Sequence, residues 1–136
     1  MPTSKEFAIR LEDRPGTLAT LTRALTEKGV NILGFQSTPI EGKNSQVRFV
    51  VDNPALAKGV LDLEHMIYKE NEVAMVRVPH QPGGLARAAS QLADANINID
   101  YGYCGVEVNT NTPLVIFGVA EAVRAANILD KVAAAA

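Results

Sequence analysis

The sequence predicts an α+β fold in which one small βαββαβ unit with an antiparallel sheet occurs twice in tandem. Three observations predict it. A shift of 67 positions lays residues 13–35 over residues 80–102 with seven identities in 23 pairs, at Pro15/Pro82, Gly16/Gly83, Leu18/Leu85, Ala19/Ala86, Leu25/Leu92, Asn31/Asn98 and Ile32/Ile99. Chance at average residue usage gives roughly one or two. The same shift aligns residues 7–12 with 74–79 and the apolar run 47–51 with 114–118. Within each copy the apolar period then changes between strand-like and helical. Two domains follow, residues 1–70 and 73–136.

The elements read as follows. Residues 5–12 set Phe7, Ile9 and Leu11 against Lys5, Arg10 and Glu12, the pattern of a half-buried strand. Pro15 stands where a first helical turn tolerates a missing N–H, and Leu18, Leu21 and Leu25 follow at helical spacing until about Gly29. Residues 30–37 resume as a strand, residues 41–45 carry turn chemistry, and residues 47–51 complete a hairpin. Asn53-Pro54 opens a second helix to about Glu64, and residues 66–69 form a fourth strand. The second copy repeats the order: strand 73–79, helix 82–95, strand 97–104, turn 109–113, strand 114–118 and helix 120–131. The last strand of the second unit is missing, because only a short, alanine-rich tail follows Leu129. The three-residue join Glu70-Asn71-Glu72 reaches about 10 Å, which suits a hairpin between neighbouring strands. Strand 66–69 is therefore expected to flank strand 73–79 in place of the missing one.

Composition excludes several functions. Apolar residues make up 47% of the 136 and charged residues 21%, ordinary values for a folded chain. The net charge is −2, the pI about 5.7, and no Lys/Arg run exists, so nucleic acid is not an expected partner. The first seven residues are polar and no run of 18 apolar residues occurs, so no membrane is expected and the location read is cytoplasmic. A unit of about 65 residues is marginal alone, which favours a homodimer or higher oligomer. Cys104 is the only cysteine and is read as core packing; with two distant histidines it makes no metal site, and nothing calls for a cofactor. Tyr101 and Tyr103 share one face of a strand, suited to packing, and His65 sits beside a helix end.

The sequence Asp13-Arg14-Pro15-Gly16 at a strand-to-helix turn, with Gly29-Val30-Asn31-Ile32 at the next helix-to-strand turn, resembles the ACT domain family. The likeness recurs at residues 80–83 and 96–99 and covers nearly the whole chain. It implies a ferredoxin-like fold and an amino-acid-binding regulatory role, as in stand-alone tandem ACT proteins without a catalytic domain. It implies ligand contacts at Asp13, Arg14, Pro15, Gly16, Asn31 and Ile32, and at His80, Gln81, Gly83, Gly84, Leu85, Asn98 and Ile99. It also implies that the ligand is shared where two domains abut, and that an amino-acid biosynthetic enzyme is a partner.

Physical chemistry suits that site. A helix starting at Pro15-Gly16 or Pro82-Gly83 offers free N–H groups and a positive dipole end to a carboxylate. Asp13 can meet an ammonium, and Asn31 or Asn98 offers both donor and acceptor. Asp13 is equally an ordinary helix cap. The copies differ, with His80 for Asp13 and Gly84 for Thr17, so the two sites should differ in charge and room; His80 would add a pH-dependent contact. Two other functions compete. One is an interaction module that docks on an enzyme and binds nothing small. The other is an acylphosphatase-like enzyme using Arg14 and Asn31, against which Gln81 stands opposite Arg14 and no phosphate-cradling glycine loop is present.

Overall fold

A computed structural model describes residues 3–107 and 112–135. Among the described residues it has six strands and four helices, β1 Thr3–Glu12, α1 Thr17–Glu27, β2 Ile32–Ile40, β3 Asn44–Val51, α2 Pro54–Leu63, β4 Tyr68–Arg77, α3 Gly84–Asp94, β5 Tyr101–Val106, β6 Pro113–Gly118 and α4 Ala122–Ala135. Every strand pair recorded among them is antiparallel. The chain divides into two compact units, residues 5–71, and residues 72–135 together with Thr3 and Ser4.

In the unit of residues 5–71, β3 lies between β1 and β2, with Phe7 opposite Phe49 and Phe35 also opposite Phe49. Alternation along β1 sends Phe7 and Ile9 into a core with Leu21 and Leu25 of α1, Val47 and Phe49 of β3, and Ala57 and Leu61 of α2. Phe7 meets Phe49 at a ring separation of 5.6 Å and Tyr68 edge-on at the same distance. Asn53 caps α2 by accepting a 3.1 Å bond from Leu56 N–H, as Asn-Pro at a helix start implies. The Tyr68 hydroxyl donates to Asp62 Oδ1 at 2.7 Å, joining the end of α2 to β4. That hydrogen bond, then desolvation and the negative charges of Asp62 and Glu70, push the phenol up to about 12.

In the second unit β6 lies between β5 and β4. Its separate core gathers Ala74, Val76, Ala88, Leu92, Val115, Phe117, Ala125 and Leu129. Tyr101 and Tyr103 share a face, their rings parallel at 6.5 Å. The Tyr101 ring lies over Gly118, its partner across the ladder, so any Cβ there would fall within the ring.

Several expectations change. Residues 66–69 and 73–79 do not form a hairpin; β4 runs unbroken through Glu70-Asn71-Glu72, which contains no glycine or proline to turn the chain. Asn71 Nδ2 instead donates to the buried Glu6 carboxylate of β1 at 3.1 Å. No strand follows β6 among the described residues, α4 continuing to Ala135, and it is Thr3 and Ser4 of β1 that group with the second unit. β5 begins at Tyr101, four residues later than read, because residues 97–100 form no ladder. Cys104 is exposed rather than packed in the core, since alternation turns it away from the buried Tyr103. The expected turn at residues 109–113 falls mostly outside the described residues.

Candidate functional site

The first strand-to-helix loop starts where β1 leaves the ladder at Glu12. Asp13 N–H donates to Lys43 C=O at 2.8 Å and its Oδ1 accepts from Ser45 Oγ at 3.2 Å, so the loop is tied to the β2–β3 hairpin. Asp13 therefore does not cap α1. The N-cap is Gly16, at φ 94°, with no side-chain cap, and the helix begins at Thr17, two residues beyond Pro15. A left-handed residue is needed to swing the chain into the helix, which selects glycine. Thr17 Oγ1 donates back to Glu12 C=O at 2.9 Å, and Thr20 Oγ1 to Gly16 C=O at 3.0 Å.

Against this loop lies an open cleft of about 400 Å³ lined by Arg10, Leu11, Glu12, Arg14, Pro15, Gly16, Thr17, Thr20 and Met66. Arg14 Nε pairs with Glu12 Oε2 at 2.6 Å, both side chains largely exposed. Among the described residues, no hydrogen bond or ion pair engages the Arg10 guanidinium. The cleft thus offers one uncommitted cation, one carboxylate and the dipole end of an uncapped helix.

The second loop repeats the backbone. Gly83 caps α3 at φ 92° without a side-chain cap, and Gln81 C=O accepts from Gly84 N–H at 3.3 Å. The room does not repeat. A Cβ on Gly84 would stand 2.7 Å from both Pro79 O and Val78 Cγ1, so α3 begins pressed against the end of β4. The remaining space is about 60 Å³, lined among others by Arg77, Gln81, Gly83 and Arg87. Arg77, the counterpart of Arg10, is neutralised by Glu107 at 2.6 Å.

Of the residues read as contacts, Arg14, Pro15 and Gly16 line the first cleft, and Gln81, Gly83 and Gly84 the second. Asp13, although exposed, does not line its cleft. Asn31 and Ile32 lie at the other end of the sheet, where Ile32 faces Val51, while Glu12 faces Asn44; the seven residue steps along β3 from Asn44 to Val51 span about 23 Å. Asn31 N–H donates to the Asp52 side-chain Oδ1 at 3.0 Å and its C=O accepts from Asp52 N–H, and Ile32 borders a small apolar recess under Phe35. Asn98 Nδ2 donates to Asp100 at 3.0 Å, and Ile99 packs on the core, again at the sheet end away from their own loop. His80 and Leu85 are exposed. Each Asn-Ile pair is thus separated from its unit's loop, and so is Asn31 from Arg14, the pair that an acyl-phosphate enzyme would need together.

Sequence reading passed over Arg10, Glu12, Thr20 and Met66. A signal existed for one of them: the arginine recurs at the same offset as Arg77, the polar position in an otherwise apolar stretch. Met66 comes to the cleft from the far end of α2, which no local pattern announces. Among the described residues, no group of three His, Cys, Asp or Glu could hold a metal, and no helix is long and apolar enough to cross a membrane.

Such an architecture, an antiparallel sheet with βαββα order and a cleft at its first strand-to-helix loop, defines a ferredoxin-like α+β module. Residues 6–62 match the ACT domain family model, so the chain carries an ACT domain there, as the resemblance implied. No curated protein matches the sequence. Among solved structures, a protein from Bacteroides thetaiotaomicron is similar with a TM-score of 0.80 at 22% identity, over 95% of this chain and 88% of that one. The ligand-free regulatory subunit of aspartate kinase from Thermus thermophilus is similar at 0.62 and 19% identity, over 96% and 91%. The corresponding Thermus flavus subunit gives 0.59 and 20%, over 96% and 92%. At these identities the likeness establishes a fold shared over most of each chain.

Proposed function

We propose that this protein is a non-catalytic regulatory protein built from two tandem ACT-type units, and that it binds a free amino acid at the first strand-to-helix loop. The observation that carries this reading is the open cleft of about 400 Å³ at the loop of the matched ACT domain, with Arg10 uncommitted on its wall. An α-carboxylate there meets the Arg10 guanidinium and the first N–H groups of α1, and the ammonium meets Glu12. The similarity to aspartate kinase regulatory subunits supports a regulatory role. The Asn31–Ile32 and Asn98–Ile99 pairs, remote from their own loops, are suited to completing the site of another module, and a homodimer supplies one. A cytoplasmic location and an amino-acid-metabolising enzyme as partner belong to the same proposal.

Thermal denaturation against the twenty amino acids tests it. A specific stabilisation growing with concentration is expected by linkage. Arg10→Gln should weaken the apparent affinity roughly 10- to 100-fold, the range for one charge-assisted hydrogen bond. A flat response to all twenty would favour a docking module without its own ligand.

A further inference from the structure

Next to the loop cleft lies a second open cleft of about 380 Å³, lined by Ile9, Arg10, Leu11, His65, Met66 and Ile67. The two share Arg10, Leu11 and Met66, so they are contiguous along the end of β1. Their chemistry differs. The loop cleft is the more polar of the two, with Arg10, Glu12, Arg14, Thr17 and Thr20, whereas four of the six residues in the second are aliphatic or thioether side chains. Ile67 is 91% exposed, the most exposed large apolar side chain among those described, and Leu11 and Met66 are half-buried beside it. The segment 65–67 is held in place by the end of α2, where Met66 N–H donates to Leu61 C=O at 3.0 Å and His65 takes a left-handed φ of 55°.

Resting on the reading of the loop as an amino-acid site, we infer that the ligand is an amino acid with an extended apolar side chain, of the leucine or methionine type. Its charged head group occupies the polar cleft, and its side chain crosses Leu11 and Met66 to cover Ile67. Arg10 stands at the junction, where it pairs with the α-carboxylate and repels a cationic side chain. No acidic residue lines the second cleft to receive a lysine-like side chain. An acidic side chain would find only His65 and the shared Arg10 in the second cleft and would leave its thioether and aliphatic wall uncovered. The apolar contact is what separates this class from alanine or glycine, because each methylene fully buried is worth about fourfold in affinity.

Isothermal titration of the 136-residue chain with glycine, alanine, valine, leucine, methionine, aspartate and lysine tests the inference. Leucine or methionine should bind best, roughly tenfold or more tighter than alanine, since the extra carbons are buried only in part in an open cleft. In Ile67→Asp, a substitution at a solvent-exposed position, the advantage of leucine over alanine should fall below about threefold on the same grounds. Tightest binding by aspartate or lysine, or an unchanged leucine-to-alanine ratio in Ile67→Asp, would overturn the ligand class and leave amino-acid binding standing. Absence of binding by all seven and by the remaining thirteen amino acids would overturn both.

Discussion

At the first loop a threonine hydroxyl bridges the start of α1 to the carbonyl of Glu12; at the second, the bare glycine at the matching position brings the start of α3 against the carbonyl of Pro79. The two turns share their Pro-Gly dipeptide and nearly the same left-handed glycine, at φ 94° and 92°. Backbone chemistry is therefore conserved between the copies while the space beside it is not. The charge differs in the same sense. Arg77 is held by Glu107, and the residue 67 positions before Glu107 is the apolar Ile40, which leaves Arg10 uncommitted. The steric requirement of the turn recurs in both loops, whereas the room and the uncommitted cation beside it do not.

The largest test of that contrast is Gly84→Thr, which gives the second loop the residue of the first. The new Cβ meets backbone and a branched side chain at 2.7 Å, and such overpacking costs about 1–3 kcal/mol. The reverse change, Thr17→Gly, loses an exposed hydroxyl shared between the carbonyls of Glu12 and Arg14 and about 1 kcal/mol, so the urea midpoint should fall further in Gly84→Thr. Next come Gly16→Ala and Gly83→Ala. Each added Cβ meets open space, so the penalty is the left-handed backbone alone, about 1–2 kcal/mol and equal in the two loops. Unequal losses would show that the turns are not the same device.

Arg77→Gln should cost under about 1 kcal/mol, because the pair with Glu107 is partly solvated, and its effect should shrink in high salt. The smallest effect is spectroscopic. Tyr68 has its phenol raised from 10 to about 12, so the stability from its bond to Asp62 is complete below pH 10 and lost between pH 10 and 12. In ultraviolet titration the Tyr68 transition should move toward 10 in Asp62→Asn.

Much of the fold was legible because it rests on local rules. The spacing of Leu18, Leu21 and Leu25, the Asn53 cap and the alternation of Phe7, Ile9 and Leu11 each have a short-range cause. The helix starts were read two residues early, since Pro15 and Pro82 are allowed inside a first turn but here precede a left-handed glycine. The join at residues 70–72 was misread because length alone permits a hairpin, whereas strand continuity depends on pairing that sequence does not display. The candidate site was legible only in part. Pro-Gly marked the loops, but Met66 and Ile67 arrive from another element, and the closure of the second loop depends on how near Gly84 comes to Val78 and Pro79. Asp13, the most obvious carboxylate, is turned to Ser45, and the carboxylate beside the cleft is Glu12, one residue earlier and paired with Arg14.

The central claim is that one loop binds and its duplicate does not. Backbone amide chemical shifts of the isotope-labelled protein, followed during titration with leucine, test it most directly. The account predicts saturable changes at residues 10–20 and 65–67, with residues 77–87 unmoved and one ligand per chain. Changes at residues 79–87 of comparable size, or two equivalent sites per chain, would contradict it.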